Sequence, residues 1–219
     1  MSHGEFVFVS DFDGTLTEKD FYQMMIDDYL GDVGQTLYKE WRQGLHLDKD
    51  FLGKIYSTIN REEDEILKDI LRIEWDESAH EFIQKVRQCG GEFIILSAGT
   101  SYYIERLLKE KGLSDVKVYS NPGIYKDKGI HLQIDKNSLY YSERYGIDKA
   151  KVVEDLKKQY THVYYAGDSA PDILPCKIAD MAFAKGSLQE MLRAENIDFV
   201  PIKSFKDVAT ILIEKGVLK

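Results

Sequence analysis

The chain reads as an α/β protein: a parallel sheet core with helices on both faces and a small helical insert near its start. Three observations carry this reading. The apolar run Phe6-Val7-Phe8-Val9 stands near the amino terminus, with two aspartates close behind it. From Asp76 onward, short apolar runs alternate with stretches of helical periodicity. Between these parts, residues 20–71 hold helix-spaced apolar positions and no convincing strand.

Bulk properties narrow the class. A chain of 219 residues, 43% hydrophobic and 31% charged, suits one globular unit built as a core with a smaller lobe. The net charge of −9 and the lack of a Lys/Arg run argue against a nucleic-acid partner. Cys89 and Cys176 lie far apart with no CxxC spacing, which argues against a disulfide scaffold or a zinc-thiolate site. No apolar run is long enough to span a membrane, and residues 1–5 carry no signal-peptide pattern. A cytoplasmic protein with no membrane partner is expected.

Each element follows from local pattern. Residues 6–9 form a buried strand. Phe21, Met24, Met25, Tyr29 and Leu30 recur at helical spacing, as do Phe51, Ile55 and Ile59, then Ile66, Ile70 and Leu71. Gly31, Gly34, Gly44 and the loop near Asn60 divide them into three or four helices. The expected division is a core of residues 1–17 and 75–219 and a helical cap of residues 18–74. Asp76 is read as an N-cap for a helix with Ala79, Phe82, Ile83 and Val86 inward, ended by Gly90-Gly91. Residues 92–97 are a second strand, and Ile104, Leu107 and Leu108 mark the helix after it. Residues 116–119 are a third strand. Residues 125–134 read as a hairpin with its turn at Lys128-Gly129. Asp148 caps a helix carrying Val152, Val153 and Leu156. Residues 163–166 and 181–184 are the fourth and fifth strands. Ser187 with Glu190 reads as a capping box, and Ser204 opens a last helix stopped by Gly216.

Three strands end in polar residues: the first in Asp11, the second in Ser97, the fourth in Asp168. Open parallel sheets bring such ends to one edge, where ligands bind. Asp11, Asp13, Asp168 and Asp172 would then crowd together, and a hard cation relieves their repulsion. An all-oxygen donor set without His or Cys points to Mg²⁺. Ser97 offers a hydroxyl, and the helix start behind it offers N–H groups to an anion. Lys149 offers a positive charge at the same edge, with Lys151 as its rival. Nucleophile, metal, acid and charge clamp are the parts of phosphoryl transfer. Taken singly, each residue has an ordinary structural use: Ser97 in a helix approach, Lys149 on an exposed helix, Asp172 at a helix dipole, Asp168 in a turn. The reading rests on their joint arrangement.

DFDGT at residues 11–15, Ser97 at the end of EFIILS, Lys149, and GDSAPD at residues 167–172 together resemble the haloacid dehalogenase superfamily. The resemblance runs in order through residues 5–202. It implies a Rossmann-like core and hydrolysis of a phosphomonoester through an aspartyl-phosphate. By that likeness Asp11 is the nucleophile, and Asp13 is the acid that protonates the leaving group and then the base that activates water. Ser97, Ala98 and Lys149 hold the phosphoryl group. Asp11, the backbone carbonyl of Asp13, and Asp168 hold Mg²⁺, with Asp172 supporting them from behind.

The insert after the first motif is similar to the cap of the phosphoserine phosphatase branch. Within that branch the segment FAKGSL at residues 183–188 and the spacing of Lys149 from Asp168 look like the 2-hydroxy-3-keto-5-methylthiopentenyl-1-phosphate phosphatase group. That group can carry a cysteine-rich segment before the lysine, whereas residues 140–145 here read YYSERY. Asp20, Arg42 and Arg61 are further candidates for substrate contact. The expected partner is a small phosphorylated metabolite. The alternatives are a phosphotransferase or phosphonatase on the same scaffold, the latter needing a Schiff-base lysine among Lys19, Lys39, Lys49 and Lys54, or a non-catalytic metal-binding module.

Overall fold

A computed structural model describes residues 4–219. Residues 1–3, part of the stretch read for a leader pattern, lie outside that range. The elements follow in chain order. β1 is Gly4–Ser10. α1 (Phe21–Met25) passes through a π-helical turn (Ile26–Leu30) into α2 (Gly31–Arg42). α3 (Asp48–Ser57), α4 (Glu63–Leu71) and α5 (Ala79–Gln88) come next. β2 (Glu92–Thr100), α6 (Ser101–Glu110) and β3 (Lys117–Asn121) lead into the short strands β4 (Gly123–Lys126), β5 (Gly129–Leu132), β6 (Tyr141–Ser142) and β7 (Gly146–Ile147). Then come α7 (Lys149–Lys157), β8 (Tyr160–Gly167), a 3₁₀ turn (Ala170–Asp172) and α8 (Ile173–Ile178). β9 (Met181–Ala184), α9 (Leu188–Ala194), β10 (Val200–Pro201) and α10 (Phe205–Glu214) complete the chain.

The chain forms two compact units: residues 1–18, 75–96 and 149–219, and residues 19–74 and 97–148. In the first unit the strand order is β10-β9-β8-β1-β2. β3 is the neighbour of β2 in the strand order, and it lies in the second unit with the last residues of β2. The pairings of β1 with β2 and β8, of β8 with β9 and of β9 with β10 are parallel. β1 is therefore central, buried on both faces, and its unbroken apolar run follows from that.

Alternation along β1 sends Phe8 to one face. There it meets Phe82 of α5 at 4.7 Å, Phe93 at 5.9 Å, Phe183 at 5.8 Å and Phe205 of α10 at 6.1 Å. Val9 lies in register with Tyr165 on the other face, where α7 buries Val152 and Val153. Helices thus cover both faces, as the alternating pattern requires. Two features of this unit differ from the sequence reading. Asp76 is not the N-cap itself; its Oδ1 accepts the backbone N–H of Ser78, the N-cap, at 2.9 Å, and its Oδ2 accepts that of Phe205 at 2.8 Å. Ser187 forms no capping box; its hydroxyl donates to the Asp168 carbonyl at 3.3 Å.

Asp180 ties α7 to β8. Its Oδ1 accepts from Lys157 Nζ at 2.6 Å and its Oδ2 from the Val163 N–H at 2.8 Å. Burial pushes this carboxyl up, but the two donors outweigh it and hold it below the ordinary aspartate range. A carboxyl lowered by folding contributes stability above its unfolded pKa and loses it as pH falls through the folded value. Asp180→Asn is expected to cost about 1 kcal/mol near neutral pH, once discounted for solvent screening. Urea unfolding of both proteins at pH ~7 and pH ~3 checks this. A gap of equal size at both pH values would contradict the carboxylate's role.

In the second unit, Phe21 of α1 is buried against Tyr56 of α3 at 5.8 Å and Tyr103 of α6 at 4.7 Å. Glu63 of α4 accepts from Tyr102 Oη at 2.7 Å, joining α4 to α6. Gly34 does not separate helices: it lies inside α2, where a Cβ would come within 2.8 Å of Leu30 Cβ and 2.9 Å of Ile26. The hairpin turn falls at Asp127-Lys128, both at positive φ, one residue before the expected site. Gly129 is required for another reason, because a Cβ there would lie 2.6 Å from the Ser57 carbonyl.

Candidate active site

The site grows from the end of β1. The Asp11 N–H donates to the Ala166 carbonyl at 2.9 Å, which carries the β1–β8 ladder one residue past the strand. Asp11 is thereby held beside the end of β8, and the residue is 6% exposed. The chain then turns sharply. Leu16 N and Thr17 N both donate to the Phe12 carbonyl, at 2.9 and 3.0 Å, and Phe12 is buried beside Trp75. Gly14 sits at φ +73°, and a Cβ there would lie 2.6 Å from Asp168 Oδ2. Only glycine lets this turn approach the second carboxylate. Asp13 lies half-buried in the same turn.

β8 supplies the other acids. A Cβ on Gly167 would lie 2.5 Å from Asp172 Cγ, so glycine is needed here too. Asp168 follows, with Oδ1 accepting from Thr15 Oγ1 at 3.4 Å. The 3₁₀ turn folds Asp172 back, and its Oδ2 accepts the N–H groups of Asp168 at 3.1 Å and Ser169 at 3.3 Å. Carboxylate oxygens of Asp11, Asp168 and Asp172 all lie within 4.8 Å of one another.

Lys149 opens α7 and is 3% exposed. Its ammonium lies 2.8 Å from Asp11 Oδ1 and donates to Asp172 Oδ1 at 2.7 Å. Lys151, the rival, is exposed. Tyr165, fully buried on β8, donates its hydroxyl to the same Asp172 Oδ1 at 2.6 Å.

The electrostatics follow from this crowding. Burial and the Asp172 carboxylate, opposed by Lys149, push the Asp11 carboxyl well above the ordinary range. Burial alone would lower the Lys149 ammonium, yet Asp11 and Asp172 hold it above its usual value, so it stays charged. Burial and Asp172 also push the Tyr165 phenol far up, so it stays a donor. Asp11 and Asp172 thus share the Lys149 ammonium, and Asp168 adds a third carboxylate within 4.8 Å of theirs. That imbalance suits an added cation, and a donor set made only of oxygens suits a hard divalent one.

The fold brings Asp11, Lys149, Asp168 and Asp172 together in the first unit. Ser97 and Ala98 belong to the second. Ser97 is 1% exposed, with Oγ accepting the Gly99 N–H at 3.0 Å, and the Ala98 carbonyl accepts from Asn121 Nδ2 at 2.8 Å. In that unit Asp20 precedes α1, the Arg42 guanidinium lies 5.8 Å from the Trp41 ring centroid, and that of Arg61 lies 4.3 Å from the Tyr29 centroid. Sequence reasoning missed Tyr165 and Thr15. A tyrosine two positions before Gly167-Asp168 in a buried strand was the available signal for the first. Thr15 stood in plain sight within the DFDGT motif.

The model of the haloacid dehalogenase-like hydrolase family matches residues 8–174. The 2-hydroxy-3-keto-5-methylthiopentenyl-1-phosphate phosphatase of Microcystis aeruginosa is 27% identical over 205 residues, covering 93% of this chain and 95% of the relative. The protein of the same name from Lysinibacillus sphaericus is 24% identical, covering 93% and 92%. A substrate-bound phosphoserine phosphatase structure superposes with a TM-score of 0.69 at 18% identity, covering 94% of this chain and 98% of that one. No helix among the described residues is long and apolar enough to cross a membrane. With its motifs in order and its acids gathered at the ends of β1 and β8, the chain belongs to the haloacid dehalogenase-like hydrolase family.

Proposed function

We propose that this protein is a Mg²⁺-dependent phosphatase acting on a small phosphomonoester, with Asp11 as nucleophile. One observation carries the reading: Asp11, buried at the end of the central strand, is held by Lys149 at 2.8 Å within an acid cluster shared with Asp168. Asp11 attacks phosphorus, and the bond to the ester oxygen breaks. Asp13 gives its proton to that oxygen as it leaves. Water then attacks the aspartyl-phosphate while Asp13 takes a proton from it, and the bond from phosphorus to Asp11 breaks to release inorganic phosphate. Lys149 faces the charge that spreads over the transferring group. Ser97 and the Ala98 N–H are the proposed holders of the phosphoryl oxygens.

Asp11, the Asp13 carbonyl and Asp168 are the proposed holders of Mg²⁺. Asp172 belongs behind them, because its oxygens already accept from Lys149, Tyr165 and two backbone N–H groups. When bound, the cation offsets the negative charge of phosphate and carboxylates and acts as a Lewis acid. Binding to the folded chain alone stabilises it by mass action. Adding Mg²⁺ is therefore expected to raise Tm of the natural protein by several degrees and to leave Asp168→Ala unmoved. An equal rise in both would contradict Asp168 as a ligand.

Residues 18–74 are proposed as the cap that selects substrate and excludes bulk water. Two substrate types are proposed, a methionine-salvage-type ester and phosphoserine; the similarity to proteins named 2-hydroxy-3-keto-5-methylthiopentenyl-1-phosphate phosphatase supports the first. Phosphate release with Mg²⁺ across both, with phosphocholine and phosphoethanolamine beside them and Asp11→Asn as control, tests the activity and ranks the substrates. Release that persists in Asp11→Asn, or no release from any ester, would count against the reading.

A further inference from the structure

The Tyr165 hydroxyl raises a question of cost. Its side chain is fully buried on β8, in register with Val9 of β1 and Ala182 of β9. Phenylalanine would fill the same space with equal strand preference. A hydroxyl in such a place is unfavourable unless it has a partner. Its partner is one oxygen of one residue: Asp172 Oδ1, at 2.6 Å.

That oxygen is shared. Lys149 donates to it at 2.7 Å while lying 2.8 Å from Asp11 Oδ1. The other Asp172 oxygen is committed to the backbone of Asp168 and Ser169. Lys149 is thus suspended between two buried carboxylates, and the phenol is a second donor competing for one of them. Without it, Asp172 Oδ1 would have only the ammonium to accept from. In a low-dielectric site the ammonium would then be drawn toward Asp172 and away from Asp11.

We infer that Tyr165 is a positioning residue: by occupying Asp172 Oδ1 it keeps the Lys149 ammonium against Asp11 and directed at the incoming phosphoryl group. The catalytic half of this statement rests on the proposed phosphatase reading. The half that concerns Lys149 does not. Asp172 joins the two residues across the fold, with Tyr165 reaching it from β8 and Lys149 from the start of α7. Tyr164, the neighbouring buried tyrosine, points to the opposite face and rings against Phe6 at 5.8 Å. It serves as an internal control.

The test compares Tyr165→Phe with Tyr164→Phe. The first readout is the ¹⁵Nζ–H signal of Lys149, identified by its loss in Lys149→Met. It is expected to shift and to exchange faster with water in Tyr165→Phe, and to stay unmoved in Tyr164→Phe. A merely structural tyrosine would lower Tm in either variant without moving that signal. The second readout is steady-state kinetics. kcat is expected to fall about 10- to 100-fold in Tyr165→Phe, with KM changed much less. An unmoved Lys149 signal overturns the inference whatever the activity. A moved signal with unchanged kcat overturns the catalytic half alone. If the natural protein hydrolyses no ester, the phosphatase reading fails, and the Lys149 signal still decides whether Tyr165 positions the ammonium.

Discussion

Asp11→Asn is expected to fold as the natural protein does and to lose phosphate release by at least about four orders of magnitude. Asparagine has almost the same shape as aspartate, so the packing at the end of β1 is kept. Its carboxamide is a poor nucleophile toward phosphorus, and no aspartyl-phosphate forms. The effect on stability is the informative contrast. Asp11 shares its site with Asp168 and Asp172, whose charges oppose its ionisation. Removing its charge relieves that repulsion, while Lys149 keeps Asp172 at 2.7 Å. Tm should therefore stay within a few degrees or rise. Thermal unfolding and phosphate release, measured on the same preparation, decide. Undiminished release from a folded variant would remove Asp11 as nucleophile.

Lys149→Met is expected to have the largest effect on stability. Methionine matches the lysine stem in length but brings no charge. Asp11 and Asp172 are then left buried, close together and without their shared counter-ion. Breaking a buried pair from one side costs about 3–5 kcal/mol, because the partner charge remains in a medium that cannot solvate it. Here two partners remain. Adding Asp172→Asn to Lys149→Met removes one of the stranded charges and is expected to restore part of the loss. Urea midpoints of the single and double variants measure this. A midpoint for Lys149→Met equal to that of the natural protein would show that the ammonium does not hold the site together.

The local pattern was informative where one short stretch carried the whole physical reason. Residues 6–9 are continuously apolar because β1 is central and covered on both faces. An acid placed just past such a strand sits at the sheet's carboxyl end by geometry alone, which made Asp11 readable. The helical stripe at Val152, Val153 and Leu156 placed α7 correctly. Errors fell where two local signals competed. Gly34 looked like a breaker, but its role is to let Ile26 and Leu30 approach α2. Gly129 looked like the turn, but Asp127 and Lys128 take the positive φ values. A packing contact set the need for glycine in each case, with Leu30 and Ile26 of the preceding turns for Gly34 and with the distant Ser57 carbonyl for Gly129.

The amino-acid order by itself determined the alternation of strand and helix, the DFDGT and GDSAPD motifs, and the family they belong to. Those depend on periodicity and on residues a few positions apart. Only the tertiary structure separated the two lysines by environment: Lys149 is buried between Asp11 and Asp172, whereas Lys151, the same in chemistry, is exposed. It alone showed that Asp172, 23 residues beyond Lys149, spends one oxygen on that lysine and on Tyr165. The reason is physical: burial and ion pairing are settled by neighbours in space, and a charge's cost is fixed only once the fold has removed it from water.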